Sequence, residues 1–285
     1  MDQLIIFYQL FPKLWLSLLA MVGLIIGSFL NVLIYRMPIM LATRWHRDAC
    51  MQLGIITDTQ RSRYNMWWPR SACVHCGHPI AVRDNIPLLG WLLLRGRARC
   101  CQRSISWQYP LIEFLCALLF VFAGAMWPPG MALLGGTILL CGLLALSVID
   151  VQTLLLPDEL TLPLLWLGLL FNLGAIFVTP HDAIIGAVAG YVTLWLVYWL
   201  FKGLTGKDAL GYGDFKLLAA LGAWLGWRVL PAIVLTAALS GLVITLLSRG
   251  GKPAQMKQPI AFGPWLAIGG AVVLFLYEGP TSLLK

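Results

Sequence analysis

The chain has 285 residues, of which 60% are hydrophobic and 11% charged, with a mean hydropathy of +0.83 and a net charge of +8. Soluble globular chains are nearer to about 45–50% apolar and about 25% charged. The composition therefore excludes an ordinary cytosolic enzyme, and also a disordered chain, which needs low hydrophobicity and high charge; a polytopic membrane protein remains.

The apolar runs, taken in chain order, support that class. The first covers Leu14–Tyr35, near the roughly 20 residues that a spanning helix needs. It is too long for a cleaved signal peptide, and no small-residue cleavage site precedes Arg36. Further runs lie at about Tyr109–Trp127, Met131–Ile149, Leu160–Val178 and Ala183–Phe201, then Phe215–Trp227, Val229–Leu247 and Ile260–Tyr277. The expected fold is thus all-α, with about eight transmembrane helices. The sixth run has 13 residues, a length more typical of a re-entrant or protein-buried helix.

The basic residues orient these spans. Of the 20 Lys and Arg, 17 fall between spans one and two, between spans five and six with the first turn of span six, or between spans seven and eight. With eight spans these loops share one face, which the positive-inside rule makes cytoplasmic. The charge of +8 is then mostly topology and not a sign of a nucleic-acid partner. The expected organisation is a first helix in 1–36, a cytoplasmic insert in 37–108 and a membrane region in 109–285.

The insert is too small for much core, so a staple is expected. It carries Cys73-Val-His-Cys76 and Cys100-Cys101. A Cys-x-x-Cys pair with a second Cys group about 25 residues on resembles a structural zinc site. In the cytosol thiols stay reduced, which favours a metal over disulfides. The second half is irregular: Ala98 stands where a second Cys-x-x-Cys would begin, and His75 or His78 is an alternative fourth ligand. Two readings stay open, a zinc site or unliganded thiols in a loop held by packing of Trp67, Trp68, Trp91 and Trp107.

Most of the twelve acids lie in loops or on the outer side. Asp150 closes one apolar run, and Asp214 opens another in Gly211-Tyr-Gly-Asp214-Phe-Lys216. Ionisable groups bordering the membrane are costly and are functional candidates by default. Two carboxylates on different helices that meet at one depth can share a proton, and such a pair can activate water and protonate a leaving amine. The glycines before Asp214 suit unusual backbone angles and the close approach of a substrate strand. The bland alternatives are that Asp214 and Asp158 are helix N-caps and Asp150 a solvated helix end.

The same residues resemble a known family. Gly27-Ser-Phe-Leu-Asn-Val-Leu-Ile-Tyr-Arg36-Met-Pro38, Cys73-x-x-Cys76, Asp84-Asn-Ile-Pro87 and Ile105-Ser-Trp-Gln-Tyr-Pro-Leu-Ile-Glu113 are similar to motifs of the type IV prepilin peptidases. So are Asp150 with Leu156-Pro-Asp158, Gly211-Tyr-Gly-Asp214, and Phe262-Gly-Pro264. The resemblance runs nearly end to end. It implies an aspartyl endopeptidase with Asp150 and Asp214 as catalytic pair and Gly211, Gly213, Lys216 and Asp158 in support. It implies prepilin or pseudopilin substrates, cut after a Gly that follows a basic leader, at the cytoplasmic face of a bacterial inner membrane. It further implies N-methylation of the new N-terminus with S-adenosylmethionine, with the donor's residues unassigned, and association with the bilayer and with secretion or pilus assembly components. The resemblance assigns Cys73, Cys76 and Cys101 to a zinc site, with Cys100 in place of the cysteine absent at Ala98. Two other classes compete. A transporter would use intramembrane acids as ion sites and show inverted repeats. A scaffold without activity would bind assembly partners through the insert.

Overall fold

The computed structural model describes residues 2–55, 64–207, 211–249 and 261–276. The loop residues Arg61, Arg63, Asp208, Lys252 and Lys257 and the outer Glu278 lie outside these. The described chain is all-α, with two isolated antiparallel bridges as its only β-pairing. Its α-helices are α1 (Asp2–Leu10), α2 (Pro12–Gln52), α3 (Leu89–Leu93), α4 (Gln108–Met126) and α5 (Met131–Thr153). There follow α6 (Asp158–Leu173), α7 (Pro180–Thr205), α8 (Tyr212–Leu225), α9 (Leu230–Arg249) and α10 (Gly263–Leu276). Each of the eight apolar runs is a helix. Five helical stretches, α2, α4, α5, α7 and Trp227–Ile244, are long and apolar enough to cross a bilayer; α6, α8 and α10 are shorter.

The chain forms two compact units, residues 6–125 and, for the most part, 126–285. In the first, α2 differs from the expected span: it runs on through Pro38 to Gln52. A proline inside a helix costs about 3 kcal/mol in a lost hydrogen bond and a clash with the preceding turn. Here the turn before it is anchored. Ile34 is fully buried, and the buried Arg36 guanidinium donates to the carbonyls of Asn65 (2.8 Å), Met66 (3.3 Å) and Pro69 (2.6 Å). Arg36, grouped with the loop cations by sequence, thus pins the returning chain to α2. Gly23 and Gly27 bring the α2 backbone against α4, where an added Cβ would lie 2.7 Å from the Cα atoms of Ala117 and Glu113.

In the second unit the short α8 is the central element. Asp214, Phe215 and every residue from Leu217 to Leu225 are buried. The 13-residue run is therefore a protein-buried helix, packed mainly against α7 and α6. Lipid tails are as apolar as leucine, so membrane helices associate through close packing of small residues and through hydrogen bonds. Gly186 and Gly222 supply the first, with backbone meeting backbone between α7 and α8. Asn172, fully buried at the end of α6, supplies the second. Its Nδ2 donates to the carbonyls of Ala223 (2.8 Å) and Trp224 (3.0 Å), and its Oδ1 accepts from the N–H groups of Phe177 (3.0 Å) and Val178 (3.1 Å). One amide thereby satisfies two of the last carbonyls of α8, which a helix leaves without intrahelical partners.

Candidate active site and cysteine cluster

Asp150 lies one turn before the end of α5. Leu154, in a left-handed conformation at φ 55°, caps that helix with its N–H on the Asp150 carbonyl (2.8 Å). The Asp150 side chain is buried, and its Oδ2 accepts from the N–H of Gly263, the first residue of α10, at 2.9 Å. Asp214 is in the first turn of α8. Its Oδ2 accepts from the Gly211 N–H (3.2 Å), while its own N–H donates to the Gly211 carbonyl (3.1 Å). This is a capping box with the Gly211 carbonyl in place of a capping side chain, so Asp214 sits three residues inside the cap and is not the N-cap itself. The cap has not used up the carboxylate: Asp214 Oδ1 is buried and has no hydrogen-bond partner.

The Leu156 side chain ties the surroundings of the two aspartates together. A Cβ at Gly213 would lie 2.7 Å from Leu156 Cβ. A Cβ at Gly263 would lie 2.6 Å from Asp150 Oδ2 and 3.2 Å from Leu156 Cδ1. Both glycines are needed for close approach at the carboxylates, not for unusual backbone angles.

Asp158 takes a different place from the expected N-cap. Pro157 is the N-cap of α6, and Asp158 is its first residue with no capping bond. Its carboxylate instead receives Lys216 Nζ at 2.6 and 2.8 Å. That ion pair joins the start of α6 to α8 two residues beyond Asp214. All the expected aspartates, Gly211, Gly213 and Lys216 are thus brought together. Sequence reading missed the roles of Gly263 and Leu156. Both lay within motifs already noted, Phe262-Gly-Pro264 and Leu156-Pro-Asp158, but nothing in a linear pattern shows a hydrogen bond across 113 residues.

The cysteines form a separate cluster in the first unit. The Sγ atoms of Cys73, Cys76, Cys100 and Cys101 all lie within 4.8 Å of one another. Cys73 and Cys101 are 3.7 Å apart, and Cys76 and Cys100 are 3.2 Å apart. Zinc–sulfur bonds of about 2.3 Å in a tetrahedron put sulfurs roughly 3.8 Å apart, so the donor set fits that ion. Neither His75 nor His78 belongs to the cluster. Of the four tryptophans, Trp67, Trp68 and Trp107 are exposed; Trp91 meets Trp107 at 4.1 Å and donates its Nε1–H to the Ile105 carbonyl at 3.3 Å.

The irregular spacing has a geometric explanation. In the first turn the Cys73 N–H donates to the His78 carbonyl and the Gly77 N–H to the Cys73 carbonyl, each at 2.8 Å. In the second, the Ala98 N–H donates to the Arg103 carbonyl and the Gln102 N–H to the Ala98 carbonyl, again at 2.8 Å. Gly77 and Gln102 have matching φ values of 72° and 58°. The turns are two copies of one knuckle, in which Cys76 corresponds to Cys101 and Cys73 to Ala98. Cys100 supplies the fourth sulfur from the neighbouring position. N–H groups of His75 and Cys76 aimed at the Cys73 thiol hold it down at about 6, whereas hydrogen bonding from Cys76 pushes Cys100 up to about 12. A low thiol favours the thiolate that a metal requires.

A multi-pass helical membrane protein with two buried carboxylates on separate helices, α5 and α8, is the class that this fold and site define. The chain matches the model of the bacterial peptidase A24 N-terminal domain over residues 21–127 and that of the type IV leader peptidase family over residues 137–246. It is 62% identical to a prepilin leader peptidase/N-methyltransferase of Pectobacterium carotovorum subsp. carotovorum, covering 95% of this chain and 96% of that one. Relatives of the same name from Dickeya chrysanthemi and Aeromonas hydrophila are 55% and 50% identical, over 96% and 92% of this chain and 96% and 91% of theirs. No solved structure matches it. The chain belongs to the type IV leader peptidase family.

Proposed function

We propose that this protein is a membrane aspartyl endopeptidase that removes the basic leader of prepilins or pseudopilins, and that it then N-methylates the exposed N-terminus. The single observation that carries the peptidase reading is the pairing of Asp150 with Asp214, each with one carboxylate oxygen held by a glycine N–H. With one proton between them, one carboxylate takes a proton from water as the water oxygen adds to the scissile carbonyl carbon. The other, protonated, polarises that carbonyl and gives its proton to the departing amine as the C–N bond breaks. Anchoring each Oδ2 to the main chain fixes both groups before substrate arrives, which favours the transition state over a mobile ground state.

The acids at helix ends, rather than at mid-span, weigh against a transporter. The relatives' names support the methyl transfer and, through it, S-adenosylmethionine as donor. That molecule supplies a methyl group on a sulfonium, and displacement by the amine lone pair leaves a neutral thioether and releases one proton. The four cysteines would hold a structural zinc ion through thiolates. The asymmetry of the basic loops supports a site at the cytoplasmic face of the bacterial inner membrane, within reach of assembly or secretion components. Co-expression with a prepilin and mass spectrometry of the product tests the whole reading. The expected product starts directly after the leader glycine and carries one added methyl group. An unprocessed prepilin contradicts the peptidase, and a cleaved but unmethylated product contradicts the second activity.

A further inference from the structure

The first unit contains a cavity of about 810 Å³ between α2, the two cysteine knuckles and the start of α4. Its volume lies within the range of about 300–1,000 Å³ typical of small-molecule sites. Two buried acceptors line it. Asn31 is 5% exposed; its Nδ2 donates to the Tyr109 carbonyl at 3.0 Å, but its Oδ1 is buried with no partner. Glu113 is 8% exposed and accepts from the Leu88 N–H at 2.8 Å; no cation pairs with it among the described residues. Buried polar atoms are rarely left unsatisfied, and an unpaired acceptor costs about 1–3 kcal/mol. Such a site favours a ligand rich in hydrogen-bond donors and positive charge, and it opposes a phosphate or another anion at that end.

Other walls have different chemistry. Tyr35, Trp91 and Tyr109 border the cavity, and the largely exposed Arg83 stands at its rim. Arg36 and Arg99 also border it, but their guanidinium groups are engaged, Arg36 with three carbonyls and Arg99 with Asp84. Aromatic rings suit a purine, buried acceptors suit ribose hydroxyls, an ammonium or a sulfonium, and the exposed Arg83 guanidinium, whose contact with Asp84 is a long 4.0 Å, suits a carboxylate. S-adenosylmethionine has all of these groups.

Resting on the methyltransferase reading above, we propose that this cavity is the S-adenosylmethionine site, with Asn31 and Glu113 as the acceptors that take the donor's N–H and O–H groups and its positive charge. A bound donor would give the orphaned Asn31 Oδ1 a partner and would set a positive charge against Glu113, whose carboxylate is otherwise held by the Leu88 N–H. The Asp150–Asp214 pair is no part of it.

The test is a binding measurement on the purified full chain with S-adenosylmethionine, by equilibrium dialysis with methyl-labelled ligand, followed by ultraviolet cross-linking and peptide mapping. The near-isosteric Glu113→Gln should weaken binding tenfold or more, and Val32→Trp, which fills the cavity from its α2 wall, should remove it. Unchanged thermal unfolding of each variant shows that the effect is local. Cross-links should map to peptides within residues 28–36 or 71–113. Affinity unchanged in both variants, or label mapped elsewhere, overturns the site while leaving the methyltransferase reading intact. Protection of the cross-link by a prepilin N-terminal peptide but not by S-adenosylhomocysteine assigns the cavity to the acceptor and also overturns it. A full chain that binds no S-adenosylmethionine contradicts the site and the donor together.

Discussion

The N–H of Gly263 donates to Asp150 Oδ2 at 2.9 Å, so the first residue of α10 sets the position of a carboxylate on α5. The contact allows no side chain, because a Cβ at residue 263 would come within 2.6 Å of the same oxygen. Gly263→Ala should therefore displace Asp150 and lower prepilin cleavage at least tenfold, with the protein still inserted in the membrane. Cleavage at the unaltered rate would show that Asp150 does not need this anchor.

Asp158 and Lys216 make a close ion pair, but Asp158 is exposed. Exposed pairs contribute about 0–1 kcal/mol, and 1 kcal/mol is a factor of about 5 in rate or equilibrium. Asp158→Asn should thus reduce cleavage only a few-fold in a gel-shift time course. A loss as complete as that from an Asp150 variant would mean that Asp158 takes part in the reaction.

The matching hydrogen bonds of the two knuckles make a specific prediction about the cysteines. Cys100→Ala should lower the zinc content of the purified protein, measured by elemental mass spectrometry. Ala98→Cys added to the same chain should restore it, because Ala98 occupies the place that Cys73 holds in the first knuckle. An unaltered chain that carries no zinc would contradict the metal site.

Much of the frame was legible in the sequence. The apolar runs gave each membrane helix, and the shortness of the sixth matched the burial of α8. The aspartates stood out because a chain with so little charge should avoid them at the membrane boundary. What stayed hidden depended on contacts between distant segments. The first apolar run ends at Tyr35, but Arg36 and Ile34 anchor the turn before Pro38 and the helix runs on to Gln52. Ala98 looked like a defect in a metal site until the hydrogen bonds aligned the two turns. Asp158 and Asp214 both had the local pattern of N-caps, and only tertiary partners separate the ion pair from the capping box.

Asn172 offers a test of the packing itself. Its amide makes four hydrogen bonds inside the second unit. Asn172→Leu would leave buried donors and acceptors unsatisfied at about 1–3 kcal/mol each. A clear fall in the thermal unfolding midpoint in detergent is expected, together with partial loss of cleavage because α8 carries Asp214. An unchanged midpoint would show that these bonds are replaced by others.

The most direct test of the central claim is leader removal by Asp150→Asn and Asp214→Asn, each co-expressed with a prepilin and read by gel shift. Asparagine keeps the shape of either side chain but can neither accept the water proton nor deliver one to the amine. Both variants should insert normally and leave the prepilin at its unprocessed size. Normal processing by either one would contradict the assignment of Asp150 and Asp214 as the catalytic pair.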